Sequence, residues 1–216
     1  MIKKLIFYFS KSELLLWFFS ALTITVSFFA FDRHSYLTLI ASLIGVTSII
    51  FNSKGNPFGQ ILMILFSIIY GIISLSFRYY GEMITYLGMT MPMSVFALVS
   101  WLKSPHNGNK AEVKVNSISK KETVYMFILT LGVTAVFYFV LKAFNTANIF
   151  PSTVSVTTSF LAAYLTFRRS PFFSLAYAAN DIVLIVLWTL ASFENPRYIS
   201  VVFCFAAFLP MIFTDI

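Results

Sequence analysis

Charge is scarce in this chain. Asp, Glu, Lys and Arg make up 11% of its 216 residues, against 59% hydrophobic. A soluble domain carries about a quarter charged residues, so this composition excludes one and points to an integral membrane protein. Cysteine is nearly missing. The one present, Cys204, lies inside an apolar run. That rules out an intrachain disulfide framework and a cysteine-based zinc site. The two histidines, His34 and His106, both fall in polar stretches. An intramembrane enzyme needs paired carboxylates, a His-rich metal cluster or a Ser/His pair at one depth. None is legible here, so the expectation is a protein that is not an enzyme and holds no cofactor.

What is abundant is apolar and aromatic, with 26 Phe and 11 Tyr. Eight apolar runs stand out: Leu14–Phe31, Tyr36–Phe51, Phe58–Phe77, Met83–Leu102, Thr123–Leu141, Ile149–Phe167, Phe172–Phe193 and Tyr198–Phe213. A span needs about 17–25 residues; the second and eighth runs are short. The start, Met-Ile-Lys-Lys, has the look of a signal peptide, but the following run is of full length and lacks a small-residue cleavage site. It reads as a retained helix.

The net charge of +7 is not a nucleic-acid signature, because the basic residues sit in short loops between runs. They fix orientation instead. With the N-terminus inside, the inner segments hold eleven of the 15 basic residues, Lys103, Lys110, Lys114, Lys120 and Lys121 among them. The outer segments hold Arg33, Arg78, Lys142 and Arg197. Both termini are therefore expected in the cytoplasm. The polar loop from Lys103 to Lys121 reads as a linker between halves of one membrane domain. Gly55-x-x-x-Gly59 has the spacing of a helix-dimer motif, but its place beside Pro57 at a loop edge argues against that role.

One ionisable residue, Asp181, lies in the interior of a run. Such a group costs about 2.5–3.5 kcal/mol to insert and usually faces a protein interior or a water-filled cavity. Tyr177, Asp181 and Trp188 share one helical face, with Asn180 at its edge. An acid, an amide and two aromatics at membrane depth suit a small, flat, cationic ligand. Two other readings of Asp181 stand beside this one: a protonated acid hydrogen-bonded within the bundle, and a proton relay.

The chain also resembles itself. Phe51-Asn-Ser-Lys-Gly-Asn-Pro-Phe58 and Phe167-Arg-Arg-Ser-Pro-Phe172 are both basic turns closed by Pro-Phe. Superposing Pro57 on Pro171 lays spans two to four over spans six to eight, with span five as linker. That is a parallel repeat, as in SWEET proteins. It divides a single domain, residues 1–216, into an added N-terminal helix (1–34), a first triplet (35–103), a loop and linker helix (104–148) and a second triplet (149–216). It sets Asp181 and Trp188 opposite Ser67 and Ser74. Gln60, Ser67, Tyr70 and Ser74 form a polar stripe on span three. Thr153, Thr157 and Tyr164 form another on span six. Pro92 and Pro210 are expected to kink their helices.

Arg78-Tyr-Tyr-Gly-Glu-Met-Ile-Thr-Tyr-Leu-Gly-Met-Thr-Met-Pro-Met93 with Trp101, Thr158-Ser-Phe-Leu-Ala-Ala-Tyr-Leu-Thr-Phe-Arg-Arg-Ser-Pro171, and Ala179-Asn-Asp-Ile-Val-Leu-Ile-Val-Leu-Trp188 together resemble the PnuC family of nicotinamide riboside transporters. The resemblance runs from about Ser35 to Phe208. It implies an all-α bundle of three plus one plus three helices behind an extra N-terminal one, about eight in all. It implies facilitated diffusion of a vitamin-like nucleoside through the plasma membrane, with a cytoplasmic kinase trapping the product, and a trimeric assembly. It assigns the ligand to Gln60, Tyr86, Thr90, Asn180, Asp181 and Trp188. Thiamine, another cationic heteroaromatic, is the alternative cargo, and a vitamin-binding subunit of an energised transporter is the alternative role. The ending Phe-Leu-Pro-Met-Ile-Phe-Thr-Asp-Ile216 departs from the family's Tyr-Gly…Trp-like finish.

Overall fold

The computed structural model describes residues 8–76, 79–146 and 148–212. Among them are eight helical spans: α1 Lys11–Phe31, α2 Tyr36–Ser53, α3 Phe58–Ser76, α4 Tyr80–Leu102, α5 Lys120–Ala143, α6 Ile149–Phe167, α7 Phe173–Ser192 and α8 Ile199–Ile212. Seven are long and apolar enough to cross a membrane, and Pro196–Ile212 is a shorter apolar helix. The all-helical membrane fold expected from the apolar runs is the fold observed. The second run gains two residues and reaches spanning length at Ser53. The atypical ending beyond residue 212, like Arg78, lies outside the described residues.

The boundaries follow local chemistry. Ser10 and Glu13 form a reciprocal capping box that starts α1. Ser119 accepts from the Glu122 amide and starts α5. Outward-facing side chains such as Phe18, Phe19, Phe127, Leu131 and Phe139 are exposed, which fits a lipid solvent rather than water.

Six helices close a ring. α2 packs on α3, α3 on α4, α4 on α6, α6 on α7, α7 on α8, and α8 back on α2. α1 lies outside against α8 and α2, and α5 lies outside against α6. The turns holding Lys54, Lys103 and Arg168 share one end of the bundle, called here the basic end. Two ion pairs sit there, Glu13 with Lys54 at 2.6 Å and Glu122 with Arg168. The hydrogen bonding that Arg168 donates to the Glu122 carboxylate is the chief cause that raises its guanidinium above its ordinary value.

The polar loop after α4 is not a plain linker. Pro105–His106 (β1) pairs antiparallel with Asn109–Val113 (β2). Asn107 (φ 47°) and Gly108 (φ 80°) make the turn, and Asn-Gly is the strongest short hairpin signal a sequence carries. The strand and the residues just after it bond to both basic turns. Val113 N–H donates to the Gly55 carbonyl at 2.9 Å, and Asn116 N–H to the Arg169 carbonyl at 3.0 Å.

Gly55 and Gly59 have local jobs rather than a dimer role. Gly55 adopts φ 61°, a left-handed conformation that costs other residues about 1–2 kcal/mol. A Cβ there would also stand 3.1 Å from the Val113 side chain. Gly59 lets α3 approach Asn52 of α2, where a Cβ would lie 2.7 Å from the Asn52 backbone nitrogen. Gly55→Ala is expected to cost about 1–2 kcal/mol of stability, and Gly55→Asn less, since Asn tolerates positive φ. Thermal unfolding in detergent measures both; an unchanged melting temperature for Gly55→Ala would contradict the strain.

Candidate substrate cavity

Inside the ring lies a cleft reaching from mid-bundle to the basic end. Asn52, Phe173, Ser174 and Ile212 line it near that end; Tyr86, Thr90, Ser159, Tyr177, Asn180 and Asp181 line it deeper, with Phe66, Phe205 and Phe208. Its space is about 700 Å³ counted out to its mouth, of which about 50 Å³ is room for the centre of a water molecule. It is therefore a narrow slot between rings, tighter than an open small-molecule pocket of about 300–1,000 Å³.

The polar groups in this slot are few and held in place. Asn180 Oδ1 accepts from the Thr158 and Ser159 hydroxyls, each at 2.8 Å. That fixes the amide orientation and leaves its nitrogen as a donor. Asp181 is 5% exposed, and its Oδ2 has no hydrogen-bond partner among the described residues. A buried carboxylate oxygen without a partner is costly, and in a cavity wall it marks a place for a cation or donor. Across from α7, α4 widens into a π-turn over Tyr86–Thr90, with the Met91 amide donating to the Tyr86 carbonyl. Pro92 follows at once; its missing N–H and its ring clash disrupt the regular ladder. π-turns recur at functional sites, and this one puts Tyr86 and Thr90 into the cavity wall.

The cavity stops short of the opposite end at an aromatic barrier. Trp188 is fully buried and packs on Tyr79 (ring centroids 4.9 Å), Tyr198 (5.5 Å) and Tyr70 (6.2 Å). Tyr70 in turn meets Tyr86 at 4.4 Å. The Tyr70 hydroxyl and the Trp188 indole N–H are close enough to interact without closing a hydrogen bond of ordinary geometry.

A family described as nicotinamide mononucleotide transporter matches residues 35–214. The chain belongs to that family. The transporter is 25% identical over 182 residues to the nicotinamide riboside transporter PnuC of Neisseria mucosa, covering 83% of this chain and 69% of that one. It also matches the crystal structure of the vitamin B3 transporter PnuC, with a TM-score of 0.75 at 20% identity, over 96% of this chain and 94% of that chain. That second likeness shows a shared fold.

Of the residues singled out in the sequence, the transporter brings Tyr86, Thr90, Tyr177, Asn180 and Asp181 together in the cavity wall. Five others lie elsewhere. Trp188 and Tyr70 belong to the barrier. Ser67 donates back to the Met63 carbonyl at 2.8 Å, the usual fate of a helical serine. Gln60 is buried behind the wall, where its amide donates to Asn52 Oδ1 at 2.9 Å. Tyr164 turns toward Phe160 and Phe167. On the same stripe, the Thr157 hydroxyl meets Thr134 of α5 at 2.9 Å. Asn52, Ser159, Phe173 and Ser174 line the cavity but were not foreseen. The Thr158–Ser159 pair had a signal, since Ser159 lies on the α6 face opposite the stripe that was read.

Glu82 is the largest surprise. An apolar run starting at Met83 leaves it in the outer loop, yet α4 begins at Tyr80, three residues earlier. Glu82 is thus inside the bundle, 1% exposed.

Proposed function

We propose that the transporter carries nicotinamide riboside across the cell membrane by facilitated diffusion. Family membership and the Neisseria relative, a nicotinamide riboside transporter, support this reading. The observation that carries it is a single carboxylate, Asp181, in a slot walled by aromatic rings. Nicotinamide riboside presents a flat pyridinium cation with a carboxamide. Asp181 supplies the counter-charge, Tyr86, Tyr177 and Phe173 flank the ring, and Asn180 and Thr90 meet the carboxamide or ribose. A cation over an aromatic face contributes about 0.5–2 kcal/mol. The mononucleotide adds a phosphate. No Lys or Arg lines the cavity among the described residues, and Asp181 repels an anion, so the nucleoside fits this wall and the nucleotide does not.

The basic end is cytoplasmic in this reading, because most basic residues lie there. The conformation described is then inward-facing, closed on the outside by Tyr70, Tyr79, Trp188 and Tyr198. Alternating access is a rocking of the α2–α4 triplet against the α6–α8 triplet. The same order of contacts on the two sides of the ring supports the parallel repeat. A cytoplasmic kinase that phosphorylates the nucleoside keeps the gradient inward, and a homotrimer in the plasma membrane belongs to the same reading.

A thermal-shift panel on the purified protein tests the cargo. A ligand at 100 times its Kd stabilises the folded state by about 2.7 kcal/mol. Nicotinamide riboside is expected to raise the melting temperature by several degrees, and the mononucleotide to leave it unchanged. A shift with thiamine or riboflavin and none with nicotinamide riboside would overturn the assignment.

A further inference from the structure

The barrier that separates the cavity from the opposite end is not only aromatic. Glu82 lies within it, with Oε2 unpaired among the described residues. Its carboxyl acts electrostatically on the phenols of Tyr70, Tyr79 and Tyr86. Tyr86 lies one helical turn after Glu82 on the same face of α4, and it lines the cavity that Asp181 lines. The hydroxyls of Tyr79 and Ser74 are likewise buried without partners, and the Tyr70 hydroxyl and the Trp188 indole N–H have only their imperfect contact with each other. Unpaired polar atoms are rare in native interiors, and each calls for a reason. Here they gather around Trp188, on which Tyr70 and Tyr79 pack.

Packing alone does not account for this. A glutamine or leucine at 82 fills a similar volume without burying an acid, and an unpartnered carboxyl is among the costliest groups to enclose. Fixed to the first turn of α4, Glu82 is enclosed with its near neighbour Tyr79 and, one helical turn on, Tyr86. That is an arrangement that takes a flat cation, with a carboxylate for its charge and rings for its faces.

We propose that Glu82 is a second cation-binding station, on the outer side of the barrier, which takes the pyridinium ring of the incoming nucleoside before Asp181 does. This rests on the cargo and orientation proposed above. Tyr86 is the divider between the stations. It opens the π-turn, so a local return to regular helix geometry in α4 shifts its ring and passes the cation from one carboxylate to the other. Two acids in series let the charge cross the aromatic barrier without being left unpaired in the bilayer.

The test compares nicotinamide riboside with its 1,4-dihydro form, which keeps the shape and loses the positive charge. Uptake into cells from outside is measured for wild type, Glu82→Gln and Glu82→Asp, with melting temperatures of the purified variants as the control for folding. Glu82→Gln is expected to raise the entry KM of the cation about tenfold or more and to leave the neutral form within about twofold of wild type. Glu82→Asp keeps the preference for the cation. The KM for exit, which loads from the basic end onto Asp181, moves less than the entry KM in Glu82→Gln. If Glu82→Gln alters cation and neutral form alike, or alters neither, the station does not exist and Glu82 is structural. A wild type that carries no nicotinamide riboside overturns the cargo reading and this inference with it. A wild type that carries it, with Glu82→Gln unaltered, overturns this inference alone.

Discussion

Asp181→Asn is expected to weaken nicotinamide riboside binding by about 10- to 100-fold while the protein stays folded. The estimate follows from the value of a charged hydrogen-bonded contact, about 1.5–3 kcal/mol, removed from a site where solvent does not replace it. Asn is isosteric, and Asp181 Oδ2 has no partner to lose, so the melting temperature of the free protein should hold or rise. The neutral dihydro nucleoside should bind the variant about as well as wild type. Calorimetry in detergent reads both. Unchanged affinity for the cation would remove Asp181 as its counter-ion. A protonophore separates the remaining role: uptake by wild type that collapses with the proton gradient makes Asp181 a relay instead.

Trp188→Ala should act differently, and through the barrier. Its side chain is completely buried against three tyrosines. Truncating such a residue costs about 3–5 kcal/mol in stability. The vacated space lies between the cavity and the outer end, so the variant should also leak. In proteoliposomes, flux through Trp188→Ala is expected to saturate poorly and to admit small solutes that wild type excludes. Affinity measured at the inner cavity should change by less than for Asp181→Asn. A tight, saturable Trp188→Ala with a large loss of affinity would return Trp188 to the ligand's immediate surroundings.

That contrast shows what periodicity can and cannot say. Trp188 and Asp181 do share a helical face, as their spacing dictates. Seven residues also separate them by about 10 Å along the axis, which sets Trp188 about two turns beyond Asp181. A face is legible in a sequence; a depth relative to neighbouring helices is not. Tyr164 fails for a related reason. Its stripe on α6 is real, but a helix inside a bundle meets several neighbours, and this stripe meets α5. The spans themselves were legible because lipid leaves the backbone few choices and the apolar runs are long. α6 begins and ends where its run does. Glu82 was misplaced because Arg78-Tyr-Tyr-Gly-Glu mixes charge, ring and glycine as a loop does. Only the packing of α4 on α3 shows that the helix has already begun there. The hairpin at 105–113 did carry a signal, Asn107-Gly108, which its polar surroundings obscured.

The segment from the hairpin strand to Asn116, which donates to Gly55 and to Arg169, ties together the two turns that part or close in the rocking proposed above. It is a spring across the mouth. Any excursion that stretches it gives up main-chain hydrogen bonds, each with a net value of about 0.5–1.5 kcal/mol, so its rest length biases the equilibrium between the two access states. Because those bonds run through the backbone, the bias is set by how far the strand reaches and hardly by which side chains it bears. Lengthening the loop by a few residues should slacken the spring and change the direction in which the empty carrier rests, with every residue of the cavity left as it is.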